Sequence, residues 1–525
     1  MSNRRFTLTI FFFLILFNSC SLRSLSAIQR DELVILFTND VHGNIRASKS
    51  RRSSSDTASL IGGTASLATF YSRWAEKVGG HDNLLILDAG DYFQGTPEGN
   101  ESKGHLMIEL MNRLGYDAAT LGNHEFDFGF DNMKELINTA KFPIMADNLR
   151  SRVTGGLPAE LSPPIIIEQN GIKIGIAGII TDELLRVTNL DSDAEWFVER
   201  ELPNAQRAVW ELKNRGAEII ILLTHCGFEH DSEIAAAYDS NLPSESGTIR
   251  IDMIIGGHSH TRLPSPVIVN GVRIVQTGGK GVEPGEIRIR WDRQLRQIRA
   301  FDYKLVELRH EVFPEDEEMR KFLEPKFSEI DRSMNRVVGR ALAPFKRRSN
   351  TGISSPLGNH QADIMREYAR ADIGIMNKGG IRSDISEGEI SLRALYSVSP
   401  FGNTICSVKL TGAQILSLLE KALDGKHTTF EISGMKVTYD PDKPAGSKIM
   451  EVVISGSKLE RNRLYSVATN SFLFAGGDAY REFVEGLEGY DSGRTLLEAE
   501  VEFFEKHSGG VAPVSEERWI LRNKR

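Results

Sequence analysis

The sequence predicts a layered α/β domain followed by a second α/β region. Continuous apolar runs at Leu33–Phe37, Leu84–Leu87, Ile165–Ile167, Ile174–Ile180 and Ile219–Leu223 have the pattern of strands covered on both faces. Helix-like segments alternate with them at Gly104–Leu114, Met133–Ala140 and Ala205–Asn214, the rhythm of βα units. At 525 residues the chain is also too long for one hydrophobic core.

Hydrophobic residues make up 40% and charged residues 26%, the balance of a globular protein. The formal charge of −8 speaks against a nucleic-acid polymer as partner. Arg4 and Arg5 precede an almost wholly apolar stretch, Phe6 to Phe17, which Asn18-Ser19-Cys20 ends. This layout predicts a signal peptide over 1–19, too short for a membrane span. Cys20 then either carries lipid, as in bacterial lipoproteins, or follows a plain cleavage site. The expectation is an exported protein, periplasmic or membrane-anchored through a lipidated Cys20. Cys226 and Cys406 fall in different regions and read as small buried residues, not a disulfide.

Ser48 to Ser59, rich in Ser and Arg, reads as a solvated loop, with Arg51 and Arg52 as candidate phosphate contacts. Met319, Phe322, Leu323, Phe327 and Ile330 recur at helical spacing within Glu315–Ser333 and predict an amphipathic linker helix over 311–335. The first domain then spans 20–310 and the second 336–525. In the second, Val437–Tyr439 and Met450–Ile454 read as strands and Gly412–Leu423 as a helix.

Five polar clusters each follow an apolar run, the position where ligands gather in layered α/β domains. They are Thr38-Asn39-Asp40-Val41-His42, Asp88-Ala89-Gly90-Asp91, Gly122-Asn123-His124-Glu125-Phe126-Asp127, Thr224-His225-Cys226-Gly227 and Gly256-Gly257-His258-Ser259-His260. They supply Asp40, His42, Asp91, Asn123, His225, His258 and His260, oxygen and imidazole donors without thiolate, a set that suits Zn, Mn or Fe(II). So many donors exceed one tetrahedral ion and suit two divalent ions sharing a carboxylate, which can hold the attacking and leaving oxygens of a displacement at phosphorus. Asp127 stands either as the partner of His124 or as a helix N-cap. His81, His105, His230, His310, His360, His427 and His507 have no such context and read as surface or structural residues.

Asp40-Val41-His42-Gly43-Asn44, Gly90-Asp91-Tyr92-Phe93-Gln94-Gly95 and the three later clusters together resemble the calcineurin-like metallophosphoesterases. More closely, they resemble the secreted 5′-nucleotidase family, which includes UDP-sugar hydrolases and cyclic phosphodiesterases. The resemblance covers nearly the whole chain after the leader. It implies a four-layer α/β/β/α sandwich, the linker helix and a second α/β domain that binds substrate. It implies one metal at Asp40, His42, Asp91 and His260, a position some members fill with Gln. A second metal would be held by Asp91, Asn123, His225 and His258. His124 would face the phosphate, oriented by Asp127, and a metal-activated water would be the nucleophile.

In that family the second domain holds the base between two aromatic rings, at positions that Phe401 and Phe472 match; taken alone, both read as core. Asp478 matches an acid that accepts from the ribose hydroxyls, Arg382 an arginine at the phosphate, and Asn377 a polar contact. Gly379 and Gly380 permit close backbone approach. Lys378 stands where the family usually has Gly, which would set a cation beside the pocket. Thr351–Ser355 lacks an arginine that some members use, leaving Lys378, Arg347 or Arg348 to replace it. The second domain is expected to rotate about the linker helix. The expected substrate is a 5′-nucleotide, with a nucleotide sugar or 2′,3′-cyclic nucleotide as alternatives on the same centre. A surface-binding lipoprotein without catalysis is the rival from another class.

Overall fold

The structure, a computed structural model, describes residues 31–49, 60–184, 188, 195–237, 243–244, 247–248, 251–349 and 352–522. The expected leader over 1–19, Cys20, Arg51, Arg52 and Thr351 lie outside these residues. The chain divides into two compact units. One consists of the residues up to Phe93 with Lys103–Asp182 and Glu195–Lys321; the other consists mainly of Phe322 onward, together with Gln94–Ser102. The division falls inside the helix Glu317–Met334, which occupies the predicted linker.

The first unit holds two six-stranded sheets. In chain order its strands are β1 (Glu32–Thr38), β2 (Leu84–Asp88), β3 (Ala118–Thr120), β4 (Ile144–Met145), β5 (Ile165–Gln169), β6 (Ile172–Ile180), β7 (Ile219–His225), β8 (Met253–Gly256), β9 (Val267–Val269), β10 (Val272–Val275), β11 (Gly285–Asp292) and β12 (Gln297–Leu305). One sheet runs β12-β11-β1-β2-β3-β4 and the other β9-β10-β8-β7-β6-β5. The central pairs β1–β2 and β6–β7–β8 are parallel, so their carboxyl ends share one edge of each sheet.

The continuous apolar runs are explained by burial on both faces. Leu33, Ile35 and Phe37 of β1 pack with Ile219, Ile221 and Leu223 of β7 in the core between the sheets. The alternate residues Ile220 and Leu222 face the helix α1 (Glu201–Asn214) through Ala205, Ala208, Val209 and Leu212. On the other sheet, Trp74 of the helix Thr64–Val78 donates its indole N–H to Glu286 of β11 at 3.1 Å. The result is the α/β/β/α sandwich that the resemblance implied.

Two local expectations shift. α1 begins at Glu201, ahead of the predicted Ala205, because Pro203 falls in its first turn, where no intrahelical N–H is needed. Ser48–Lys49 is not loop: it pairs antiparallel with Leu60–Ile61.

The second unit carries a five-stranded sheet in the order Phe430–Ser433, Ile373–Asn377, Leu464–Asn470, Thr404–Thr411 and Leu487–Thr495. The helix Pro356–Ala369 packs against it, with Pro356 in its first turn and the Ser355 hydroxyl accepting from the Gly358 N–H. Cys226 and Cys406 are both free and buried, as expected.

Within the helix Leu496–Lys506, Glu500 is fully buried and accepts from Gln361 Nε2 at 3.0 Å. Burial pushes its carboxyl up to about 8, although the Gln361 bond pulls the other way. The folded chain keeps a proton that the unfolded chain releases, so this contribution is full below about pH 4.5 and is lost as pH rises through about 8. Glu500→Gln cannot ionise. Its stability relative to the wild type should rise by up to about 1.4 kcal/mol per pH unit across that window, read from denaturant midpoints.

Candidate metal centre

The five predicted clusters lie at the carboxyl ends of β1, β2, β3, β7 and β8. There the backbone turns sharply: Asp40, His42, Asp91, His258 and His260 have φ between 50° and 76°. Left-handed backbone at a residue with a side chain costs ~1–3 kcal/mol. Its concentration at five of the seven expected ligands marks a functional site. Two glycines let the strand ends approach. A Cβ at Gly122 would lie 2.2 Å from Asp91 Oδ1, and one at Gly90 would lie 2.7 Å from His225 Nδ1.

All seven expected ligands converge around Asp91. Its Oδ2 lies 3.1 Å from His225 Nε2 and 3.8 Å from His42 Nε2. Asp40 Oδ1 lies 3.3 Å from His260 Nε2, and the His42 and His260 Nε2 atoms are 2.9 Å apart. Asn123 Oδ1 lies 2.9 Å from His258 Nδ1. Asp40–His42–His260, His42–Asp91–His124 and Asp91–His225–His258 each place donor atoms within 4.8 Å of one another. These groups overlap, the first two through His42 and the last two through Asp91, and are built of carboxylate and imidazole donors, so they fit divalent ions. Buried His225 Nε2 has no hydrogen bond of good geometry, while Nδ1 faces the Ala89 carbonyl at 2.7 Å, a bond that leaves Nε2 as the donor atom for an ion.

His124 lies beside this centre with Nδ1 2.8 Å from Asp127 Oδ2. Burial lowers the imidazole pKa, but Asp127 and Asp91 outweigh it and hold it up at about 9. Burial also raises the Asp127 carboxyl, against the pull of His124. Asp127 therefore pairs with His124; the nearby helix Gly129–Thr139 takes Phe128 as its N-cap.

Glu125 was not singled out from the sequence. It is fully buried, and its carboxylate accepts from three backbone amides: Asp91 N at 3.0 Å, Tyr92 N at 3.0 Å and Gly122 N at 2.7 Å. It fastens the Asp91 turn to the Asn123 turn. An acid between His124 and a buried Phe126 was the signal, but only the fold shows which amides it meets. One further group, Asp182–Glu201–His230, has metal-ligand types in reach of one another. Its contacts, Asp182 N to Glu201 Oε1 at 3.0 Å and His230 Nδ1 to Glu201 Oε2 at 2.8 Å, account for it without an ion.

In the second unit, Asn377 ends its strand and accepts from Asn470 Nδ2 at 2.8 Å. Arg382 donates to the Gly379 carbonyl at 3.2 Å, and its guanidinium lies 5.4 Å from the centre of the Phe401 ring. Desolvation and the neighbouring Arg347 guanidinium lower the Arg382 pKa, though the residue as a whole is exposed. Asp478 has φ 53°, a buried Oδ2 without a partner, and Asn377 and His427 beside it. Phe401 is half-buried; Phe472 is half-buried and packs against the core that contains Tyr480 and Phe483. The cation expected at Lys378 is paired with a carboxylate. The Lys378 ammonium turns inward to Glu431, 3.1 Å away, which neutralises it, so of the three stand-ins Arg347 is the one at Arg382.

Glu125→Gln should weaken binding of Zn or Mn by about 10–100-fold while the fold is kept, measured by metal titration of the apoprotein.

Comparisons with known proteins agree with this geometry. The calcineurin-like phosphoesterase family matches residues 33–262, and the 5′-nucleotidase C-terminal domain matches residues 336–485. A snake venom 5′-nucleotidase from Naja atra is 28% identical over 93% of this chain and 98% of its own. A 5′-nucleotidase from Mus musculus is 29% identical over 90% of this chain and 88% of its own. The crystal structure of a 5′-nucleotidase precursor from Thermus thermophilus superposes with a TM-score of 0.77 at 27% identity, covering 94% of this chain and 100% of that one. Two family matches in order, with a donor cluster of the type that calcineurin-like phosphoesterases use for divalent metals, place the chain in the 5′-nucleotidase family of metallophosphoesterases, which are hydrolases.

Proposed function

We propose that the protein hydrolyses 5′-nucleotides to nucleoside and phosphate with two divalent ions, Zn, Mn or similar. The convergence of Asp40, Asn123 and four His residues around the Asp91 carboxylate carries this reading. Asp40, His42, Asp91 and His260 would hold one ion, and Asn123, His225 and His258 the other, with Asp91 shared. When bound, the ions supply Lewis acidity and an activated water for attack at phosphorus. Asp91 raises the His225 pKa to about 10 against burial, so a proton there offsets the carboxylate charge that an ion would take over.

His124, kept cationic by Asp127, stabilises negative charge that builds on the phosphoryl oxygens. Phe401 and Phe472 stack on the base, each worth ~1–3 kcal/mol. Asp478, whose Oδ2 has no hydrogen-bond partner among the described residues, accepts from the ribose hydroxyls. Asn377 and Gly379 line the same site. Arg382, with the Arg347 guanidinium acting on it, takes the phosphate, for which a planar fork suits bidentate contact. The names of the Naja and mouse relatives support a nucleotide as substrate. The layout of Arg4 to Cys20 supports export, to the periplasm or to a lipid tether at Cys20. Among the described residues no helix is long and apolar enough to cross a membrane.

Turnover of AMP to adenosine and phosphate, of UDP-glucose to UMP and glucose 1-phosphate, and of 2′,3′-cAMP to the 3′-monophosphate, measured side by side on metal-loaded protein, tests the substrate class. AMP should be cleaved fastest, and absence of AMP turnover rejects the reading. His124→Ala should keep both ions and lose kcat by about 10²–10³-fold.

A further inference from the structure

We infer that Lys378 is a positioning residue, latching the Asn377–Arg382 substrate loop to a buried carboxylate; this rests on the reading above that the loop contacts substrate. The loop turns through Lys378–Gly380. Its two glycines bring no side-chain anchor and leave the backbone many alternatives. Lys378 supplies the anchor. Its ammonium lies 3.1 Å from Glu431 Oε1 and also donates to the Ile353 carbonyl.

Glu431 is fully buried on the strand Phe430–Ser433, paired opposite Met376, one residue before Asn377. Its carboxylate accepts from the Ser355 hydroxyl at 2.6 Å and the Ser355 N–H at 3.2 Å. Ser355 in turn caps the helix Pro356–Ala369. The Lys378–Glu431 pair therefore joins the substrate loop, an edge strand of the sheet and a helix N-terminus. Beyond it, the Ile381 N–H returns to the Lys378 carbonyl at 3.2 Å and Arg382 donates to Gly379 at 3.2 Å, so the latch sets where the Arg382 guanidinium starts. A buried carboxylate without its cation is costly, which makes the pair geometrically demanding.

Lys378→Met alone leaves Glu431 uncompensated and should lower thermal stability. The double variant Lys378→Met/Glu431→Gln removes the buried charge and should recover most of that stability, with the latch still open. In the double variant KM for AMP should rise about fivefold or more with kcat within about twofold, because preorganisation of the loop is what has been lost. The amides of Gly379 and Gly380 should exchange with deuterium about tenfold faster. Exchange unchanged in the double variant overturns the inference, as does an unchanged KM in an enzyme whose wild type cleaves AMP. If the wild type cleaves no AMP, the nucleotide reading fails and the exchange of these two amides still decides the latch.

Discussion

The centre depends on where the Asp91 carboxylate is held. One oxygen accepts from the His124 N–H at 2.9 Å, and the other lies between the imidazoles of His42 and His225. Three carbonyl and amide contacts hold its backbone: Asp91 N donates to Glu125, and the Asp91 and Gly90 carbonyls accept from His42 N and Asp40 N at 2.9 Å. A negative charge buried this deeply is stable only with cations or donors around it. The surrounding imidazoles, and the ions their geometry fits, meet that need. The same charge adds to the larger pull of Asp127 in raising His124 against burial.

The sandwich explains how the donors meet. The central strands bury one face against the other sheet and one against helices, so they are apolar over most of their length and, apart from His225 at the last position of β7, carry no ligand within it. The ligands fall just past the strand ends, where the left-handed turns at Asp40, His42, Asp91, His258 and His260 aim them together. Glycines at 90 and 122 remove the side chains that would keep those turns apart. The fold therefore gathers the donor side chains at one edge.

Much of this was legible in the residues alone. Strands buried on both faces leave unbroken apolar runs, and a polar cluster directly after such a run has one natural place, so the donor types and their order could be read. Direction could not. Lys378 reads as a cation for the pocket, but Glu431, 53 positions away in the chain, draws it inward. Glu125 reads as one more acid in a polar motif, yet it binds amides of two separate turns. Ser48–Lys49 reads as loop because its strand partner, Leu60–Ile61, lies beyond a Ser- and Arg-rich stretch. In each case a partner distant in sequence decides the outcome, and no local pattern encodes it.

Anomalous X-ray scattering from crystals grown with Zn or Mn tests the shared-carboxylate centre most directly. Two ions ~3.5–4 Å apart, both bonded to Asp91, are the predicted result. A single ion there, or two ions that do not share Asp91, would contradict it.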